Sequence, residues 1–153
     1  MRTRLRFLTS IAITCAMTVA WSARVHQDVA AQAPKPIKVT RIYTGSDGRT
    51  HAEETQLALK RSGSGGEQSE TMAVDSLRFA RTPPNQVSDW HNASRRQYVL
   101  TIAGRGEVEL EGGKKIPLDP EHVLLAEDLT GKGHITRTFG TGDRISVIVT
   151  LAK

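Results

Sequence analysis

The chain has 153 residues, of which 38% are hydrophobic, 24% charged and 5% aromatic. That is an ordinary globular composition at the length of one domain, and it excludes collagen-like and low-complexity architectures. A formal charge of +5 points at face value to nucleic acid or a membrane surface, while a single cysteine, Cys15, excludes a disulfide framework and a multi-cysteine zinc site.

The first segment accounts for most of that charge. Arg2, Arg4 and Arg6 precede a mostly apolar run from Phe7 to Trp21, the form of a secretory signal peptide. The run is shorter than the roughly 20 residues of a membrane-spanning helix. Val29-Ala30-Ala31 offers small residues for cleavage, so residues 1–31 read as the signal and residues 32–153 as a secreted or periplasmic mature protein. Cleavage removes Arg2, Arg4, Arg6, Arg24 and Asp28 together with Cys15, and the formal charge falls from +5 to +2. The pairs Arg95-Arg96 and Lys114-Lys115 do not gather a basic face. No nucleic-acid partner is expected, and no membrane partner once the signal is gone.

The mature chain reads as short strands. Residues 32–69 form a lead-in: an extended stretch from Ile37 to Thr44, a turn at Ser46-Asp47-Gly48, a β-rich piece from Gln56 to Arg61 and a flexible Ser-Gly loop at 62–66. Residues 70–153 form the core. Thr71 to Ala80 alternates loosely before Pro83-Pro84-Asn85, and Gln97 to Ala103 is rich in β-formers and stopped by Gly104. Glu107 to Glu111 alternates strictly, with its glutamates on a wet face, and Gly112-Gly113 makes a hairpin turn. His122 to Ala126 is a short apolar strand. Arg144 to Leu151 carries Ile145, Val147, Val149 and Leu151 on one side and Ser146 and Thr150 on the other. Strands at this spacing predict an all-β sandwich or barrel in a single domain.

Four histidines remain in the mature chain: His51, His91, His122 and His134. His51 and His122 sit in exposed turns. His91, in Asp89-Trp90-His91, and His134, in Gly131-Lys132-Gly133-His134, stand at loop-to-strand junctions, where a β-barrel mouth places small-molecule sites. Glu127 and Asp128 precede His134 by seven and six residues. An inward Glu127, with its pKa raised by burial, would serve as a ligand or a general base; an outward one would sit on a solvent-exposed strand end. Trp90 and Tyr98 either line a pocket or belong to the core.

This arrangement resembles the cupin superfamily of jelly-roll β-barrels. Gln97 to Gly104 is similar to the E-x6-G half of the family's first motif, with Gln97 at the glutamate position and Asp89 and His91 near its two histidines. Gly131 and His134 match the G-x2-H core of the second motif. The resemblance covers roughly residues 70–151 and implies a cupin-type jelly-roll β-barrel. It also implies a divalent metal (Fe, Mn, Ni or Zn) held by His91, Gln97 and His134, with Asp89 or Glu127 as a further ligand. The family set has three histidines and a glutamate, so this one is short of a carboxylate. Two functions follow: an exported metal-dependent oxygenase, isomerase or lyase acting on a small polar molecule, with Glu127 moving a proton, or a metal-free periplasmic binder of a small ligand. In either case Asp89, Trp90 and Tyr98 are the expected substrate contacts, and pairing of two copies through their sheets is the expected assembly.

Overall fold

Alternation decides the second half of the chain. In β7 (Arg105–Leu110), Val108 and Leu110 are buried while Glu107 and Glu109 face outward to Lys115 and Arg137. The chain then reverses at Gly112 and Gly113, whose φ values of 90° and 84° suit glycine, into β8 (Lys115–Leu118). These strands belong to the computed structural model of the protein, which describes residues 35–63 and 65–153. Residues 1–34, which hold the expected signal with Cys15 and His26, and Ser64 in the Ser-Gly loop lie outside the described residues.

The described residues are all-β. A six-stranded sheet runs in the order β2 (Thr50–Gln56), β1 (Lys38–Thr44), β9 (Val123–Glu127), β6 (Gln97–Ala103), β11 (Arg144–Leu151), β5 (Val74–Thr82). A three-stranded sheet carries β10 (His134–Phe139), β7 and β8. A small hairpin, β3 (Leu59–Arg61) with β4 (Glu67–Ser69), brackets the Ser-Gly loop. All neighbours are antiparallel except β1 and β9, which run parallel.

The pairing order is that of a jelly roll. The chain leaves the large sheet at β5 and runs beside β10 through residues 86–91, with bridges Val87 to Arg137 and His91 to His134. It returns for β6, crosses to β7 and β8, returns for β9, crosses to β10, and closes with β11 between β5 and β6. Counting residues 86–91 as an irregular strand and leaving out β1 and β2, which extend the large sheet, two facing four-stranded sets result, the two-Greek-key arrangement of jelly rolls. The strands form two facing sheets, with no continuous hydrogen-bonded ring among the described residues.

The lead-in is more than an approach to this core. β1 pairs with β9 from Val39–Val123 to Tyr43–Glu127, and its Ile42 is fully buried in the main cluster. The strand expected at Gln56 to Arg61 is displaced: β2 occupies Thr50–Gln56 and only Leu59–Arg61 forms β3. Thr-His-Ala-Glu-Glu-Thr-Gln has almost no apolar alternation to read. It becomes a strand because the turn at 45–49 folds it back on β1, with Gly45 N donating to the Arg49 carbonyl at 2.9 Å.

Packing divides the space between the sheets. Ile42, Leu124 and Ala126 of the large sheet meet Val108, Leu110, Ile116 and Leu118 of the small one in an apolar cluster. Farther along, the inner faces of β5, β6, β10 and β11 turn polar and leave a cavity. The outer face of the large sheet carries a second cluster of Val39, Leu125 and Leu151 with Tyr98 and Val123, and beyond it the exposed Leu77 and Phe79 of β5.

Candidate functional site

The cavity between the sheets has a volume of about 470 Å³, within the range of small-molecule sites. Its apolar wall is Val99, Val108, Leu118, Leu124 and Ile148. Its polar groups come from strand residues in one alternating phase: Arg78 and Thr82 of β5, Gln97 of β6, His134 and Thr136 of β10, Arg144 and Ser146 of β11. His91 to Ser94 close one side. Residues i and i+2 share a sheet face, which is why these polar side chains enter the cavity while their apolar neighbours leave it.

At one end two histidines meet. His91 and His134 exchange both backbone hydrogen bonds, at 3.0 and 2.8 Å, and their rings lie 4.4 Å apart at 58°. The Gly133 preceding His134 makes this possible. Its φ is +77°, and a Cβ there would lie 2.0 Å from the His91 carbonyl oxygen. The Gly-Lys-Gly-His motif is therefore first a backbone device, and the imidazoles are what it presents.

His134 is buried, and its Nδ1 lies 2.5 Å from Oδ2 of Asp128, which is completely buried. Asp128 Oδ2 accepts from Nδ1–H, which sets the tautomer and leaves Nε2 without a protein partner among the described residues. The other carboxylate oxygen of Asp128, Oδ1, is buried with no partner among the described residues. Nδ1 of His91 is likewise engaged, at 2.9 Å from the Asp89 carbonyl and 3.2 Å from Ser88 Oγ. Both rings thus keep Nε2 available to a ligand.

At the other end stands Arg144, buried on β11. Its Nε donates to Thr101 Oγ1 at 3.1 Å, and one terminal nitrogen is buried without a partner among the described residues. Burial lowers its pKa from the ordinary value; a guanidinium nevertheless stays charged at neutral pH. Arg78 joins it from the exposed edge strand, and no carboxylate lines the cavity among the described residues.

The residues singled out in the sequence are divided by this geometry. His91, Gln97 and His134 all line the cavity. Glu127 does not, because Ala126 takes the inward position and Glu127 faces the opposite side of β9. Its carboxylate is hydrogen-bonded to Arg41 and Arg96. Burial pushes its pKa up, but the two arginines outweigh that effect and hold it below the usual glutamate range, the reverse of the shift expected for a general base. Tyr98 packs in the outer cluster. Trp90 lies under Lys132, whose Nζ is 4.4 Å from the ring centroid. Asp89 contributes its backbone carbonyl to His91, and its side chain does not line the cavity. His51 and His122 are exposed and paired with Asp47 and Asp119 at 2.9 and 2.6 Å.

Sequence reasoning missed Asp128, Arg144 and Arg78. A signal existed for Arg144, since it shares the i, i+2 phase of Ser146 and Thr150. None existed for Asp128 over Glu127, because adjacent carboxylates at a strand end differ only in which way each faces.

No family model matches the chain, and no curated protein matches it. Among solved structures, the capsular polysaccharide assembling protein CapF from Staphylococcus aureus superposes with a TM-score of 0.42 at 12% identity, over 63% of this chain. The chain spans only 31% of that protein's length. Protein NMB1881 from Neisseria meningitidis gives a TM-score of 0.40 at 10% identity, covering 58% of this chain and 91% of its own. From its own strand order and cavity, the protein is a jelly roll with a polar intersheet chamber.

Proposed function

We propose that this protein is an exported cupin-type jelly roll whose chamber binds a small polar molecule, with His134 holding or moving a proton at its Nε2. The observation that carries this reading is the buried Asp128–His134 pair at the chamber wall. A carboxylate behind an imidazole fixes its orientation and stabilises its protonated form, which is how such pairs support general acid–base work. Gln97 and His91 would orient the ligand beside it. Export rests on the basic and apolar leader at residues 1–31.

The test is a thermal-shift panel of sugars, polyols, amino acids and organic acids against the full chain, the wild type beside His134→Ala and His91→Ala. At least one class should raise Tm, as binding to the native state requires, and both substitutions should abolish the rise. A panel with no effect, or a shift that survives both substitutions, overturns the reading.

A second reading is favoured by the paired imidazoles. His91 and His134, with the Gln97 amide, are the residues that would hold a divalent metal, and Asp128 would be the outer carboxylate commonly found behind a metal-bound histidine. The metal would supply Lewis-acid polarisation of a bound oxygen. The donor set is neutral, and Arg78 and Arg144 line the same cavity, so the fit is that of a weak site. Calorimetric titration with Zn2+ or Ni2+ should give a stoichiometric isotherm that His91→Ala and His134→Ala each remove. An isotherm unchanged in both variants overturns it.

A further inference from the structure

We propose that the chamber's ligand is a small organic acid whose carboxylate is bound by Arg144, with Arg78 at the open side, and whose apolar body lies on the Val99, Leu118 and Ile148 wall. This rests on the reading of the chamber as a ligand site and names its substrate class.

Arg144 is 5% exposed, and no carboxylate of the described chain pairs with it. A buried charge without a counter-ion is strongly unfavourable, and proteins keep one chiefly where a ligand or partner completes it. Here the Nε–Thr101 bond holds the guanidinium in place, while the unpartnered terminal nitrogen belongs to a side chain that lines the cavity. Arginine presents a planar fork that matches a carboxylate.

Charge points the same way. Among the described residues, the charged side chains lining the cavity are Arg78 and Arg144, and the Asp128 carboxylate, which does not line it, is paired with His134. Arg78 likewise has no ion-pair partner among the described residues, whereas Arg81 on the same strand is paired with Asp143 at 3.7 Å. Between the two ends the wall carries the aliphatic Val99, Leu118 and Ile148 beside the polar Gln97, Thr136 and Ser146. An inorganic anion would leave the aliphatic part uncovered. A carboxylate carrying a hydrocarbon or aromatic body would cover it and bring its far end to the histidines.

The experiment measures binding of benzoate, its neutral isostere benzamide, hexanoate and inorganic phosphate to the full chain by calorimetry and thermal shift. Benzoate or hexanoate should bind and raise Tm, and benzamide and phosphate should not. Arg144→Met should weaken carboxylate binding by about tenfold or more without lowering the Tm of the free protein, since it removes an unpaired buried charge. Arg78→Gln, on an exposed strand that tolerates the change, should weaken binding several-fold and keeps the test available should Arg144→Met fail to fold. Equal binding of benzoate and benzamide, phosphate binding alone, or undiminished carboxylate affinity in either arginine variant overturns the proposal. If neutral panel members still bind in a His134-dependent way while every carboxylate fails, the organic-acid assignment falls and the chamber reading stands. If nothing binds, both fall.

Discussion

The space between the two sheets is built in two ways. Toward β1, β8 and β9 it is filled by Ile42, Leu110, Ile116, Leu118 and Leu124, all at or below 3% exposure. Toward β5 and β11 the same sheets turn Arg78, Thr82, Arg144 and Ser146 inward and a cavity remains. The filled half can carry the stability of the fold, which leaves the other half free to hold polar groups. β11 makes the contrast within one strand: its apolar side faces outward, where Val147 pairs with Phe79 and Val149 with Leu77, and its polar side faces in.

Substitutions can break this division at different depths. Leu110→Ala in the filled half should cost about 2–5 kcal/mol, read as a lower denaturation midpoint with an unchanged slope. An equal loss from Ser146→Ala in the chamber would erase the distinction between the halves. Gly133→Ala should come next, at about 1–3 kcal/mol for a forced positive φ. Because its Cβ would strike the His91 carbonyl, ligand response should fall with it. An alanine variant of wild-type stability and binding would refute the backbone role assigned to the Gly-Lys-Gly-His segment.

Asp128→Asn sharpens the comparison at the chamber wall. It should change stability by only about 1 kcal/mol but loosen the tautomer of His134. Nitrogen-15 spectra should show a single Nδ1–H form in the wild type and a mixture in the variant. A single form in both would remove Asp128 as the positioning residue.

The smallest effect belongs to Glu127, outside both halves. Its pKa is lowered in the fold, so the stability from its arginine pairs is present above the ordinary carboxyl value of 4.5 and is lost as pH falls through the lower folded value. With its partners partly exposed, the pairs are worth about 1 kcal/mol. The stability gap between wild type and Glu127→Gln should therefore be constant near neutrality and close as pH falls below the ordinary carboxyl value of 4.5. A gap that widens on acidification would contradict the pairing.

Much of this architecture is legible in the chain itself. Alternation from Glu107 to Glu111, the Gly112-Gly113 turn and the β-formers of Gln97 to Ala103 specify strands locally, because side-chain period and glycine φ are properties of a few consecutive residues. The same holds for the all-β class, whereas only the resemblance to the cupin motifs implied that His91, Gln97 and His134 share a site; all three line the cavity. The inward or outward sense of each strand is different. It depends on which neighbours arrive from 20 to 100 residues away, and a shift of one position exchanges the faces. That is why Glu127 faces Arg41 and Arg96 while Asp128 meets His134, why Tyr98 went outward, and why β2 became a strand on little more than its partner. The charge of the cavity was equally out of reach of sequence, since an arginine's lack of a partner is a statement about every other strand at once.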